Sequence, residues 1–319
     1  MNALMPLPVL PAHAIPATEP ETRWLIEGLW GFDAVGILGG EPKCCKSMLS
    51  LSIAVAVASG RPCLEAHHPQ RTGAVLLFAA EDAPAIVRDR LTLLCAGMAV
   101  DLMTIPIHII TVPKLRLDDP TDRQRLELTI AQYRPVLLIL DPFVRLHRVD
   151  ENIAGEVAPI LDGLRQLQRT YGCAIMVVHH ARKGAGHLRS GQALRGSSEF
   201  HAWGDSNLFL RRQQDVLTLD IEHRAAPAPD PVTLRLIASE RELVLQPMSA
   251  NSAEAAESLP DVRVVDVLTE AKRPLTRREI QSQLHMRAST VGTLLDQLQA
   301  TGRIARDAQG YRLAARCSG

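Results

Sequence analysis

GGEPKCCKSMLSLSIAVAVASG, residues 39–60, follows the apolar run VGIL (35–38) and continues into a long stretch dominated by Ala, Val, Leu, Ile and Ser. Gly40, Glu41, Pro42, Lys43, Cys44, Cys45, Lys46 and Ser47 occupy the places of G-x-x-x-x-G-K-[ST], with Cys45 standing where that pattern has its second glycine. A strand before it and a helix over 46–59 after it give the pattern a physical meaning. Backbone N–H groups and a helix N-terminus then converge on an anion, the lysine reaches the β and γ phosphates, and the hydroxyl ligates Mg2+. Gly40, Pro42, Lys43, Cys44, Cys45, Lys46, Ser47 and Met48 are therefore the candidate phosphate-cradling residues. The competing reading is a plain strand-turn-helix with a coincidental lysine.

Cys45 is the irregular part. If the backbone there needs positive φ, a residue with a Cβ costs roughly 1–2 kcal/mol. A thiol at a helix N-terminus beside Lys46 has a second reading, as a reactive thiolate switch, against the plainer one of a tolerated small residue.

Outward from this stretch, apolar runs alternate with helical patterns. GAVLLFAAED (73–82) precedes a helix over 84–97, IHIITV near 108–112 precedes one near 121–133, and VLLILDP (136–142) precedes one near 156–170. CAIMVVHH (173–180) closes the series. Uninterrupted apolar strands spaced by helices predict an α/β fold whose mostly parallel sheet is covered on both faces. SNLFLRR (206–212), VLTLDIEH (216–223) and VTLRLIA (232–238) alternate in polarity and predict antiparallel strands extending one edge.

The strand ends carry the chemistry. Asp141 closes VLLILDP, where a carboxylate can hold Mg2+ through its water shell; the alternative is a turn cap. Glu81 closes LLFAAED, at the carboxyl end of a strand, where ligands gather in open α/β sheets; it is a candidate to orient or deprotonate a water, or simply an acidic helix start. His179 and His180 close VVHH. Adjacent strand residues face opposite sides and do not chelate one ion easily, so His180 is taken as a γ-phosphate sensor candidate rather than a metal ligand.

Composition sets the limits. Hydrophobic residues make up 46% and charged residues 22% of 319 residues, a globular profile with room for one large domain and a small one. Aromatics are only 3%, so aliphatic packing must dominate. The net charge is zero, but from Asp261 onward ten Lys/Arg face six Asp/Glu, leaving the tail at +4 and the body at −4. The six cysteines form no C-x-x-C pair, so free thiols are expected rather than a zinc ribbon or a disulfide framework. The proline-broken start lacks a basic leader, and no apolar run reaches the roughly 18 residues of a membrane span. The expectation is a cytoplasmic protein without membrane partners.

In order, GEPKCCKSMLSL, LLFAAEDAP, LLILDPF, VVHHARKG and LRGSSEFHAWGDS resemble the RecA-like ATPases of the RepA-type plasmid replicative helicase group, from about Trp30 to Arg212. The resemblance implies a P-loop NTPase of RecA-like fold that binds ATP and Mg2+ between subunits of a homo-oligomeric ring, usually a hexamer, and moves on single-stranded DNA. It implies that Lys46 and Ser47 make the phosphate and metal contacts, that Glu81 is the catalytic glutamate, that Asp141 is the metal aspartate and that His180 is the sensor. The arginine finger of this group falls on Asp205 here, leaving Arg195, Arg211 and Arg212 as substitutes.

The loop 181–198 carries Arg182, Lys183, Arg189 and Arg195 with no acidic residue, which suits phosphate-backbone contact with single-stranded DNA; a merely solvated loop is the alternative. The tail reads as a winged helix-turn-helix over 261–319. Thr276 caps one helix, Ser289 is a cap candidate for a second that buries Val291, Leu294, Leu295 and Leu298, and Gly302 precedes a hairpin wing. Arg287, Ser289 and Thr290, with Thr293, are candidates to enter a major groove, and protein docking is the competing use of such a module. The predicted layout is a Pro-rich arm (1–23), an ATPase domain (24–249), a linker (250–260) and the basic tail. The alternative to a motor is a nucleotide-binding regulator on DNA with little turnover.

Overall fold

The computed structural model of the protein describes residues 7, 9–15, 23–180, 199–248, 264–265, 267–269, 271, 273–284, 288–307 and 310–314. The chain divides into two compact units, Met1–Pro247 and Met248–Gly319. Arg182, Lys183, Arg189, Arg195 and Arg287 lie outside the described residues, as do the side chains of Ser289 and Thr290.

The first unit is built on a nine-stranded sheet. A small ribbon, β1 (Trp24–Ile26) and β2 (Trp30–Gly31), precedes β3 (Val35–Gly40), which carries the phosphate-loop sequence at its end. There follow β4 (Val75–Ala79), β5 (Ile107–Ile109), β6 (Leu137–Asp141), β7 (Ala174–His180), β8 (Ser206–Gln213), β9 (Val216–His223), β10 (Val232–Ala238) and β11 (Leu243–Pro247). Their spatial order is β11-β10-β9-β8-β3-β7-β6-β4-β5. The six strands from β8 to β5 run parallel, and β9, β10 and β11 add antiparallel pairs.

The strand pattern explains the parallel part. Val35–Gly40 is buried at every position, and β4 and β6 are buried at all but their last, as strands covered on both faces must be. Helices α1 (Lys46–Ser59) and α2 (Pro84–Gly97) cover one face, where Leu49, Ile53, Val57, Val87 and Leu91 meet Val75, Leu77, Ile139 and Met176. Helices α3 (Pro120–Tyr133) and α4 (Ala154–Tyr171) cover the other, where Leu126, Ile130, Ile160 and Leu164 meet Leu76, Leu138, Leu140 and Ile175. Each fully buried Leu or Ile contributes roughly 1.5–3 kcal/mol. Alternate strand residues divide between the two cores, and that division later sorts the side chains of the site. Local signals set the helix starts: Asp119 accepts from Thr121 N (2.8 Å) ahead of Pro120, and Pro84 occupies the first turn of α2.

The expectation of antiparallel strands at one edge needs correcting for SNLFLRR. As β8, this segment pairs parallel with β3 on one side and antiparallel with β9 on the other, so it sits inside the sheet; β9, β10 and an unforeseen β11 continue the antiparallel pairing to the edge. The first five residues of β8 are buried, and this burial outweighs the polar residues that suggested an edge. Its entry is unusually close. A Cβ on Gly36 would lie 1.7 Å from the Ser206 carbonyl oxygen, and over this stretch Asp205 and Asn207 side chains replace ladder acceptors for the N–H groups of Val35 (3.2 Å) and Ile37 (3.1 Å). The arm is not uniformly extended either, since Ala12–Ala14 forms a 3-10 turn.

The second unit contains helices Arg277–Leu284 and Ala288–Ala300 and an antiparallel pair, β12 (Ile304–Asp307) with β13 (Gly310–Leu313), to which Leu275 bridges through Tyr311. Leu275, Ile280, Val291, Leu295, Leu298, Ile304 and Tyr311 form its core, with Leu294 packed against it. Thr276 caps as expected: Glu279 N donates to its hydroxyl at 3.3 Å, and the Glu279 carboxylate accepts from Thr276 N at 2.7 Å. Those hydrogen bonds hold the Glu279 carboxyl down at about 2. The second helix already begins at Ala288, which puts Ser289 inside its first turn instead of at the cap. No helix among the described residues is long and apolar enough to cross a membrane.

Candidate nucleotide-binding and hydrolysis site

The junction from the end of β3 to α1 holds three residues with positive φ. Gly40 has φ 157°, and a Cβ there would lie 2.3 Å from the Leu210 carbonyl oxygen and 2.7 Å from Cys44 Sγ, so only glycine fits. Lys43 (φ 66°) and Cys45 (φ 67°, ψ 24°) both adopt the left-handed conformation. The conditional cost attached to Cys45 therefore applies, and Lys43 adds a second. Such strain persists only where the surroundings over-determine it, and it clusters at ligand sites.

Lys46, buried to 5% exposure, folds into the loop: its Nζ donates to the carbonyls of Gly40 (2.9 Å) and Glu41 (2.8 Å) and approaches Cys44 Sγ (3.8 Å). Burial lowers its pKa, opposed by Cys44 and Asp141. The loop thus keeps a cation at its centre with two neutral carbonyl partners, an arrangement that an incoming phosphate can replace with stronger hydrogen bonds in which both partners are charged.

Strand register brings the remaining candidates to the same edge. Gly40 pairs with His180, and Ala79 pairs with Asp141. Asp141 belongs to the alternation of Leu137 and Ile139, on the α1 face, near enough to the Ser47 hydroxyl and to Lys46 for both to favour its ionised form. Burial pushes Asp141 up to about 6; Ser47 and Lys46 pull it down, while Asp82 and Glu81 push it further up. His180 alternates with Met176 and Val178 on that same face, whereas His179 is buried against Phe200 on the other, their rings 4.4 Å apart. The separation expected of adjacent strand histidines is what the sheet produces.

Glu81, just past β4, is held by Arg145, whose Nε lies 2.9 Å from Oε1; Asp82 pairs with Arg90. The Arg145 contact spans 64 residues of sequence, and nothing in either segment signals it. Arg212 lies over the loop, with Nη1 3.4 Å from the Lys43 carbonyl and 3.9 Å from Cys45 Sγ, while Arg211 is taken up by Asp220 at 2.7 Å. Asp205, at the position where the arginine finger was expected, is structural. It accepts from Val35 N and pairs with Arg165 and with Arg224 (3.3 Å).

Of the cysteines, Cys44, Cys45, Cys63, Cys95 and Cys173 are free thiols, as expected. Among the described residues no group of three or more His, Cys, Asp or Glu side chains could hold a metal. A hydroxyl with one carboxylate is the donor set Mg2+ uses when phosphates and water complete its octahedron, so Ser47 and Asp141 fit that ion.

A loop of this form, a buried lysine at its centre and a carboxylate at the end of a nearby buried strand define a P-loop NTPase. The chain belongs to the AAA domain family, whose model matches residues 2–186. Among solved structures it is similar to the ATPase domain of the protein named G40P, with TM-score 0.53 and 14% identity over 66% of this chain and 84% of that one. It is also similar to a DnaB-like replicative helicase described with its interactions with primase, with TM-score 0.50 and 13% identity, covering 67% of this chain and 57% of that one. At these identities the likeness concerns the fold, which is RecA-like: α/β, with a mixed and largely parallel central sheet.

The left-handed conformation of Cys45 yields a direct expectation. Cys45→Gly should raise the stability of the nucleotide-free chain by about 0.5–1 kcal/mol, the relief of a left-handed Cβ less the added freedom of glycine in the unfolded chain. Chemical denaturation reads this, and an unchanged or lower midpoint would show that the loop does not strain Cys45.

Proposed function

We propose that this protein is a DNA-dependent ATPase of the RepA-type replicative helicase group, acting as a ring-forming translocase of a plasmid or other mobile element. One observation supports it above the rest: the Ser47 hydroxyl, Lys46 and Asp141 meet on one face of the sheet, with Glu81 at the end of the next strand. In this reading the loop amides and Lys46 grip the β and γ phosphates of ATP. Ser47 and Asp141 would hold Mg2+, which would supply charge neutralisation to the phosphates. Glu81 orients the attacking water, and His180, beside Gly40, hydrogen-bonds the γ phosphate. Catalysis of this kind is mostly positioning and electrostatics, and the preformed loop supplies the positioning.

The basic loop 181–198, which follows β7 in the sequence, is assigned to single-stranded DNA. The second unit is assigned a winged-helix fold that docks duplex DNA or a partner protein. Arg212, already on the loop, is the arginine best placed to act on its own subunit's nucleotide.

The regulator reading, nucleotide binding with little turnover, is favoured by two features: the strained Lys43 and Cys45, and a structural Asp205 where an arginine finger was expected. ATP hydrolysis measured with and without single-stranded DNA separates the two. DNA-stimulated turnover in the wild type that is lost in Lys46→Ala supports the motor. A silent wild type that gains turnover as Cys45→Gly supports the regulator.

A further inference from the structure

We infer that Arg145 is a positioning residue that holds Glu81 off the nucleotide until their ion pair parts. The inference rests on the proposed role of Glu81. Arg145 Nε and Glu81 Oε1 are 2.9 Å apart, and both side chains are substantially exposed, at 61% and 45%. An exposed pair of this kind contributes little to stability, so what it mainly sets is where the Glu81 carboxylate rests.

The surroundings give the direction of that restraint. Asp141, Ser47 and Lys46 lie on the α1 face of the sheet. Past Asp141 the chain crosses to the opposite face: Phe143 and Leu146 are fully buried in the core with α3 and α4. The backbone around Arg145 is pinned there, because Arg116 Nη1 donates to the carbonyls of Arg145 (2.8 Å) and His147 (2.6 Å). Leu115 and Leu117, on either side of Arg116, are buried in that same core. Arg145 is thus a tether anchored away from the phosphate loop, and it grips the one carboxylate of the acidic trio that has no anchor on the loop side. Asp82 is held by Arg90, and Asp141 faces Ser47 and Lys46, both of which favour its ionised form.

The pair joins β4 to the segment leading into α4. Parting of this exposed ion pair alone would free Glu81 toward the α1 face, with the buried strands and the pinned segment left in place. Salt weakens such a pair by screening, which gives the tether a signature that a purely structural contact lacks.

The test is steady-state ATP hydrolysis by the full chain without DNA, over a range of ionic strength, for the wild type, Arg145→Gln, Arg145→Lys and Glu81→Gln, with ATP binding titrated in parallel. Arg145→Gln should raise DNA-independent turnover about two- to fivefold, the change that loss of an exposed pair worth ~0.5–1 kcal/mol corresponds to. Its rate should respond to salt less than that of the wild type. Arg145→Lys, which restores a cation, should return toward wild-type behaviour. A rate in Arg145→Gln at or below wild type overturns the inference. Normal ATP binding, with Glu81→Gln inactive, would then leave the proposed function standing. Absent ATP binding by the wild type, or a Glu81→Gln variant as fast as wild type when single-stranded DNA is present, removes that function and the inference with it.

Discussion

Replacing Asp141 by Asn is expected to move stability and activity in opposite directions. Burial raises the Asp141 pKa from 3.8 to about 6. Folding therefore penalises the ionised carboxylate relative to the unfolded chain, although that form still predominates at pH 7. A group with a raised folded pKa lends its stability below the unfolded value and loses it as pH climbs through the folded one. The wild type should accordingly lose stability between about pH 4 and pH 6 on this account. Asp141→Asn keeps a neutral side chain throughout and should be more stable at pH 7 by about 2–3 kcal/mol. Its turnover should drop about 10- to 100-fold, the usual effect of losing a group that orients a metal through water. Thermal melts against pH, set beside ATPase rates, read both. A variant that is less stable than wild type at pH 7 would mean that Asp141 is not held at the cost of the fold.

Replacing Lys46 by Ala is expected to remove most of the triphosphate affinity. Lys46 bridges the Gly40 and Glu41 carbonyls from a buried position, and its burial already lowers its pKa. In the nucleotide-free chain the loss of two hydrogen bonds and the relief of a buried charge oppose each other, so the net change in stability is small. With nucleotide bound there is no such offset. One charge-assisted hydrogen bond contributes about 1.5–3 kcal/mol, so affinity for ATP should fall about 10- to 150-fold by titration calorimetry. Wild-type affinity in Lys46→Ala would show that the loop does not bind phosphate through this residue.

These two effects separate cleanly because the residues do different things at one site. Lys46 is a binding group whose loss appears in affinity. Asp141 is a buried acid that the empty protein tolerates at a cost to stability, and such a cost is expected where function sets the residue. Cys45 is a milder instance: its left-handed backbone costs about 1–2 kcal/mol that a glycine would not.

What was legible in the sequence was whatever neighbours in the chain can specify. The 46–59 helix was readable because its residues are apolar nearly all round, and the strands ending at Asp141 and His180 because they are short, unbroken and apolar. The opposite facing of His179 and His180 followed from strand alternation, and Thr276 with Glu279 three residues later marked a helix start. Spacing sufficed for the loop itself, because its anion-binding groups come from consecutive residues.

Tertiary structure decided whatever depends on residues distant in the chain. The place of β8 was one such matter: its polar residues suggested an edge, but Asp205 and Asn207 serve as hydrogen-bond acceptors for the N–H groups of Val35 and Ile37, 170 residues away, and let the strand run beside β3. The role of Asp205 as an anchor for Arg165, the reach of Arg212 onto its own phosphate loop, and the hold of Arg145 on Glu81 were others. The physical reason is common to all of them. Periodicity and caps report forces acting within a turn or a strand, whereas a hydrogen bond or ion pair between residues distant in the chain leaves no pattern in either segment, and its partners are settled only once the packed sheet has set the distance between them.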